Sequence, residues 1–568
     1  MAATPNRGRT LVATLFCVLV CAATLLAYSE KPLHPFQFDD EVFILGEPSI
    51  RSLSNVPRMF AVDAHLLYRP LRQTLYALTV HWAGFEPAAF HWVGLALHLL
   101  ACLALAPIGN SLLGSRRAGL YAAALAALHP VRSDRVANIT GSFDLLAPVL
   151  ALWGLAFWLA ALRDPERSNR LRAVALPLLG CGLLAGEEAL AVVLVAALAW
   201  WWLAPRSDQG RDTLRRLEDV LPLALLLAAY LALRTVVLGQ VGRAPLPAQG
   251  PAPIWSFGVY FWRYVRLILV PSGLSVAYPE RALALNEPWV MIGWSAMLAA
   301  ALAWILWLRQ RAVAVVLMLW GLLAIAPFCQ LLPSGTPFAE RYVYNALAPA
   351  ALAAGWVLAR LTRHGGARRV LGLLLFFTLL LVYGLGTFER VKVWRGPQTL
   401  WSDAVSKQPG AYLARLNHGN QLRDSGDLDA ARAQFAVAVA LDPNDSRGRI
   451  NLGNVQYRLG ELQAAQAQFL VALDADYDSV GARVGLASTF VSARRYNEAL
   501  EMIAPVLRDD PDNLAALLVL GYISSIKGEY GQAIEVYQRA LELCKDPVQV
   551  RVIGRNISTL RSKQGVAP

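Results

Sequence analysis

The chain has 568 residues, a net charge of +12, six Cys and 56% hydrophobic residues, and only 16% of it is charged. A mean hydropathy of +0.42 with apolar residues in long runs excludes an ordinary soluble protein, and runs of about 18 or more read as transmembrane helices. The basic residues sit in short loops between those runs, a membrane-topology pattern and not a nucleic-acid footprint. Cys17, Cys21, Cys102, Cys181 and Cys329 lie in apolar runs, so neither a disulfide framework nor a Cys/His metal site is expected.

The first apolar run, residues 11–28, follows Arg7 and Arg9 and has no small-residue cleavage site after it. It reads as a retained helix with a cytoplasmic N-terminus, with a signal peptide as the alternative. Residues 29–87 form a long loop whose second half looks amphipathic, with Arg58, Arg69 and Arg72 among apolar residues, as in segments lying in the membrane interface. Further spans are expected near 88–108, 118–131, 143–162, 172–186, 188–204, 218–239, 288–308, 312–331, 343–361 and 369–388. With about eleven helices the Arg-rich loops all fall on the side of Arg7 and Arg9. The segment 254–278, with Arg263 and Arg266 in an aromatic run, breaks that pattern if it crosses, so it is expected to lie in or dip into the outer interface.

After Arg390 the composition becomes polar, and a period of 34 appears. Gly419, Gly453, Ala487 and Gly521 recur at that spacing, as do Ala431, Ala465, Ala499 and Ala533, with large residues at Phe435, Phe469, Ile503 and Tyr537. Small residues let one helix approach the next and large ones fill the seam, which is the tetratricopeptide pattern. The expected organisation is all-α: a membrane bundle over 1–390, a linker over 391–411, repeats at 412–445, 446–479, 480–513 and 514–547, and a capping helix with a tail over 548–568.

Five polar clusters interrupt the apolar chain. FDDE carries Asp39, Asp40 and Glu41 between apolar residues. One of two adjacent carboxylates near an apolar surface can hold a raised pKa and take a proton from a hydroxyl, although a solvated acid cluster or a helix cap is the plain alternative. HPVRSDRVANITGSFD carries His129, Arg132, Asp134, Arg135 and Asp144, with a structural Arg/Asp network as its alternative. Glu187 and Glu188 sit between two apolar runs. Arg234 lies inside an expected span, where snorkelling competes with function. Glu340 and Arg341 open a helix, where an Arg could hold a lipid-linked phosphate.

All five fall on the outer face under this topology. A transferase using a lipid-phosphate sugar needs such a set: a base for the acceptor, and cations for the leaving phosphate. No P-loop or Rossmann fingerprint is present.

The blocks FDDEVFIL, YRPLRQTLYALTVHWAGFEPAAF, HPVRSDRVANITGSFDLLA, LLAGEEALAV, YLALRTVVLG, FAERYVYNALAP and VWRGPQTLWSDAV, in this order, resemble the transmembrane and tetratricopeptide-repeat containing (TMTC-type) family, with this chain as a bacterial member. The resemblance implies a GT-C glycosyltransferase. It would move a mannose-like sugar from a polyprenyl-phosphate donor to Ser/Thr hydroxyls of proteins, and the repeats would bind the acceptor. Asp39 and Asp40 match the family's acidic pair, Glu340 and Arg341 its AER motif, and Glu188 its block Glu. The family's Arg is replaced by Ser142, its Lys by Glu187, and Arg132 and Arg135 are gained, which leaves the sugar open.

The expected roles are Asp40 as base or acceptor positioner, with Asp39 supporting it or binding a divalent metal if one is used. Arg341, Arg234, Arg132 and Arg135 would face the donor phosphate, and Glu41, His129, Asp134, Asp144, Glu188 and Glu340 would support them. The expected setting is a bacterial inner membrane, with the repeats periplasmic and no nucleic-acid partner. The alternative is a non-enzymatic membrane anchor whose repeats recruit proteins for envelope assembly. A lipid-linked sugar flippase ranks last.

Overall fold

The computed structural model describes residues 7–61, 68–204, 212–239, 254–279, 285–303, 311–329, 338–476 and 478–565. These residues form helices, short helical turns and loops, with no strand among them. The chain divides into two compact units, residues 1–403 and 404–568.

In the first unit five helical stretches are long and apolar enough to cross a membrane: Leu11–Leu33, Pro87–Leu113, Ile139–Arg163, Arg216–Leu238 and Ala367–Arg395. Shorter apolar helices run over Ala189–Leu203, Pro288–Leu302 and Ala312–Phe328. The other expected spans fall on helices Arg116–Leu128, Ser168–Ala185 and Leu347–Arg363. Leu11, Leu15, Leu19 and Leu26 on the first helix and Leu374, Leu381 and Leu385 on the last long one are exposed. Such ridges are unfavourable in water and suit hydrocarbon. The chain is a multi-pass helical membrane protein.

Helices that leave lipid for one another do so through small residues. A Cβ built on Gly109 would lie 2.4 Å from Gly119 Cα, and one on Gly355 would lie 2.3 Å from the Ala118 carbonyl oxygen. These are backbone-to-backbone approaches that only glycine permits, the usual device of membrane helix packing.

Some boundaries differ from the sequence expectation. The span expected at 118–131 ends as a helix at Leu128, because His129-Pro130 turns the chain into a buried loop. The next long helix begins at Leu146, after the short turns Ser133–Ala137 and Ile139–Phe143. The segment from 254 holds a helix, Phe257–Leu269, of 13 residues, about 20 Å long. Arg69, just before the helix Pro70–Ala83, and Arg72 within it both reach Asp144.

The second unit is a run of helix pairs: Tyr412–Asp424 with Leu428–Leu441, Ser446–Arg458 with Leu462–Ala475, Val480–Ser492 with Tyr496–Asp509, and Leu514–Ile526 with Tyr530–Leu543. The period has a direct physical cause. A Cβ on Gly419 would lie 2.6 Å from the Phe435 ring, one on Gly453 2.8 Å from Phe469, and one on Gly521 2.9 Å from Tyr537. Between paired helices Gly426, Gly460 and Gly528 take positive φ, and in the third pair Arg494 does so at φ 59. The last helix, Pro547–Lys563, lays Ile553, Ile557 and Leu560 over the Tyr537 cluster and closes the stack.

Candidate active site

The loop that carries the acid pair is anchored by its apolar residues. Phe36, Ile44 and Ile50 pack with Tyr76, Phe90, Ile139 and Phe143. Within that loop Phe38 stands at φ 59, a conformation that is costly for a bulky side chain and recurs at functional sites. The chain then makes one π-helical turn, Glu41–Leu45, another feature common at such sites.

The two aspartates have different surroundings. Asp40 is 1% exposed, and both its oxygens are occupied. Oδ1 accepts from the Thr140 amide at 2.9 Å and the Thr140 hydroxyl at 2.6 Å, and Oδ2 accepts from the Gln37 amide at 3.1 Å. Burial pushes its pKa up to about 6, against the lowering effect of those hydrogen bonds. Asp39 is half-buried, and among the described residues its carboxylate accepts no hydrogen bond. Burial raises its pKa, Arg341 opposes the rise, and Asp144 and Asp134 add to it. Glu41 points into the open. Both Asp40 oxygens accept hydrogen bonds, and no group of three His, Cys, Asp or Glu side chains that could hold a metal ion converges among the described residues.

Below the loop a charge network joins residues far apart in sequence. Arg69 donates to Asp144 at 2.8 Å and, through two nitrogens, to Glu187 at 3.0 and 2.8 Å. Arg72, 1% exposed, reaches the same Asp144 oxygen at 2.8 Å. Arg135 lies 3.6 Å from Asp144 and 2.5 Å from Glu188, whose other oxygen accepts from Asn345 at 3.0 Å. Arg234 comes within 3.9 Å of Glu187 and donates to Tyr230 at 3.1 Å. Burial pushes Glu187 up, but the charges and hydrogen bonds of Arg69 and then Arg234 outweigh it and hold it at about 2.

Asp134 accepts from the Arg341 amide at 3.0 Å, and Arg135 donates to the Arg341 carbonyl at 3.3 Å, so both set the turn on which Arg341 stands. Burial raises the Asp134 pKa, with Arg341 as the main opposing charge. Glu340 is 0% exposed, accepts from the Ser275 amide and from Tyr278 at 2.5 Å, and has its pKa raised by burial against Arg390.

Two expected members stand elsewhere. Arg132 donates to Cys102 Sγ and the Tyr344 carbonyl and lies 4.1 Å over the Tyr344 ring, turned into the core. His129 pairs with the Ile268 carbonyl at 3.0 Å and accepts from the Val131 amide.

Arg69, Arg72 and Arg390 belong to the site and were missed as such from sequence. YRPLRQ gave a signal, since arginines three apart share a helix face. Arg390, at the end of an apolar helix, looks like any flanking cation.

Fold and site together define a polytopic helical membrane protein with a charged cluster on one loop layer and a repeat unit. Tetratricopeptide-repeat families match residues 419–460 and 484–546. Protein O-mannosyl-transferase Tmtc2 of Drosophila melanogaster is 29% identical over 291 residues, 47% of this chain and 31% of that protein. Protein O-mannosyl-transferase F38B6.6 of Caenorhabditis elegans is 23% identical over 432 residues, 72% of this chain and 60% of that protein. The homologues of this chain are thus TMTC-type protein O-mannosyl-transferases, and the match spans less than two thirds of the length of either relative. The crystal structure of ArnT from Cupriavidus metallidurans bound to undecaprenyl phosphate aligns over 90% of this chain and 80% of that one, at 15% identity and a TM-score of 0.39.

Proposed function

We propose that this chain is a membrane glycosyltransferase. It moves a mannose-like sugar from a polyprenyl-phosphate donor to Ser/Thr hydroxyls of proteins, with the repeats binding the acceptor. The reading rests on one contrast: the Asp40 carboxylate is held by three hydrogen bonds, while among the described residues the neighbouring Asp39 carboxylate, beside Arg341, accepts none. Asp39 is therefore the base and Asp40 the residue that fixes it, the reverse of the order expected from sequence.

In the reaction Asp39 takes the proton of the acceptor hydroxyl as its oxygen bonds to the anomeric carbon from the face opposite the phosphate. The sugar–phosphate bond breaks, and configuration inverts. Charge grows on the leaving phosphate, where a fixed cation is most effective. Asp134 and Arg135 hold the Arg341 backbone, which supports giving Arg341 that task, with Arg234 as a second cation. Arg132, stacked under Tyr344, is dropped from the donor-facing set. The Arg-rich loops support a cytoplasmic N-terminus and repeats on the outer, periplasmic side of a bacterial inner membrane. Asp39→Asn is expected to lower transfer about 10²–10⁴-fold with the protein still folded. Unchanged transfer would remove Asp39 from the chemistry.

A further inference from the structure

The stretch Arg390–Asp403, which leads out of the first unit, is fastened to the acid loop. The Gln37 side-chain amide donates to the Trp394 carbonyl at 2.7 Å, and Trp394 is fully buried. The Phe38 and Trp401 rings meet at 5.7 Å. Arg395 donates two hydrogen bonds to Glu30, both at 2.7 Å. Arg390 bonds Asp403 at 2.9 Å and lies 3.8 Å from Glu340, the neighbour of Arg341.

These contacts are not equal. The Arg395–Glu30 pair is on the surface, and such pairs contribute little. The Gln37 and Phe38 contacts act on the acid pair directly. Gln37 uses its backbone amide on Asp40 and its side chain on Trp394, so one residue joins the fastening to the carboxylate. Phe38 is the residue before Asp39, and its positive φ aims the Asp39 backbone. A strained aromatic residue persists where its surroundings over-determine it, and Trp401 is the ring it leans on.

We infer that Gln37, Phe38 and Trp401 are positioning residues, and that the 394–401 segment is a strap holding Asp39 in its reactive geometry. This rests on the reading of Asp39 as base. The helix bearing Trp401, Pro397–Lys407, is the one by which the chain leaves for the repeats, so the strap is part of the connection itself.

The test uses the intact protein in nanodiscs, with wild type, Gln37→Ala, Trp401→Ala and Trp401→Phe. Amide exchange over residues 36–46 is measured beside transfer kinetics. Trp401→Ala and Gln37→Ala are expected to speed exchange in that stretch and lower kcat about 10- to 100-fold, with KM for the donor unchanged. Trp401→Phe keeps a ring against Phe38 and should recover most of the rate. Unchanged exchange over 36–46 in both Ala variants would overturn the strap, as would a lowered rate without faster exchange. If wild type transfers no sugar, the reading of Asp39 fails, and exchange still judges whether the strap holds the loop. Should Trp401→Ala fail to fold, Gln37→Ala decides.

Discussion

Asp39 and Asp40 are neighbours in the chain, yet substitution should separate them. Asparagine at 40 would keep an acceptor for Thr140 but turn an amide toward the Gln37 N–H, so a buried bond is lost. Asp40→Asn should cost about 1–3 kcal/mol, read as a lower Tm in detergent. Asp39→Asn should leave Tm unchanged and remove activity. Equal Tm losses would contradict this split. The pH response has two signs. Burial raises Asp39, so the ionised base is lost as pH falls, and the acid limb of the rate profile should lie above the ordinary carboxylate range. For stability Asp40 acts in the opposite sense. Its folded pKa of about 6 exceeds the unfolded 3.8, so its contribution is present below 3.8 and is lost as pH rises through about 6. Asp40→Asn should flatten that part of the wild-type stability profile. Asp144 offers a third test. Three arginines share it; Arg69 keeps Glu187 and Arg135 keeps Glu188, but Asp144→Asn would take from buried Arg72 its acid partner among the described residues, at a cost of about 3–5 kcal/mol, seen as poor recovery of folded protein.

At the scale of elements, the third helix pair holds Arg494 where its counterparts hold glycine. A left-handed non-glycine residue costs about 1–2 kcal/mol, partly offset by the freedom glycine gains in the unfolded chain. Arg494→Gly should therefore slow amide exchange of residues 480–509 in the intact protein a few-fold, and faster exchange would contradict it. The repeats were legible because one rule, small residue against large ring, recurs every 34 residues and acts locally. The long apolar helices were legible for a similar reason, since composition over about 18 residues decides them. The stretch His129–Asp144 reads as a loop in sequence, but the short helical turns inside it do not show there. These turns are stabilised by contacts such as Thr140 with Asp40, 100 residues away in sequence. The same distance hid Arg69 and Arg72, which read as interfacial cations until Asp144 and Glu187 stand beside them. The adjacent acids Asp39 and Asp40 stand out in the sequence. Which of the two is engaged depends on Thr140 and Gln37, and no local pattern announces that.

At the scale of the whole molecule, the first unit supplies lipid-facing helices and a buried charge layer, and the second supplies a closed stack of helix pairs. A membrane anchor for the repeats would need the helices but not a network in which Asp144, Glu187 and Glu188 organise four arginines. The most direct measurement is sugar transfer by the purified protein in nanodiscs, with wild type beside Asp39→Asn. Labelled polyprenyl-phosphate sugars and an extract of secreted proteins would be supplied together. The account predicts label on Ser/Thr of protein with wild type, and its loss by at least about 100-fold in the variant. Label transferred equally by both, or by neither from any donor, would contradict it.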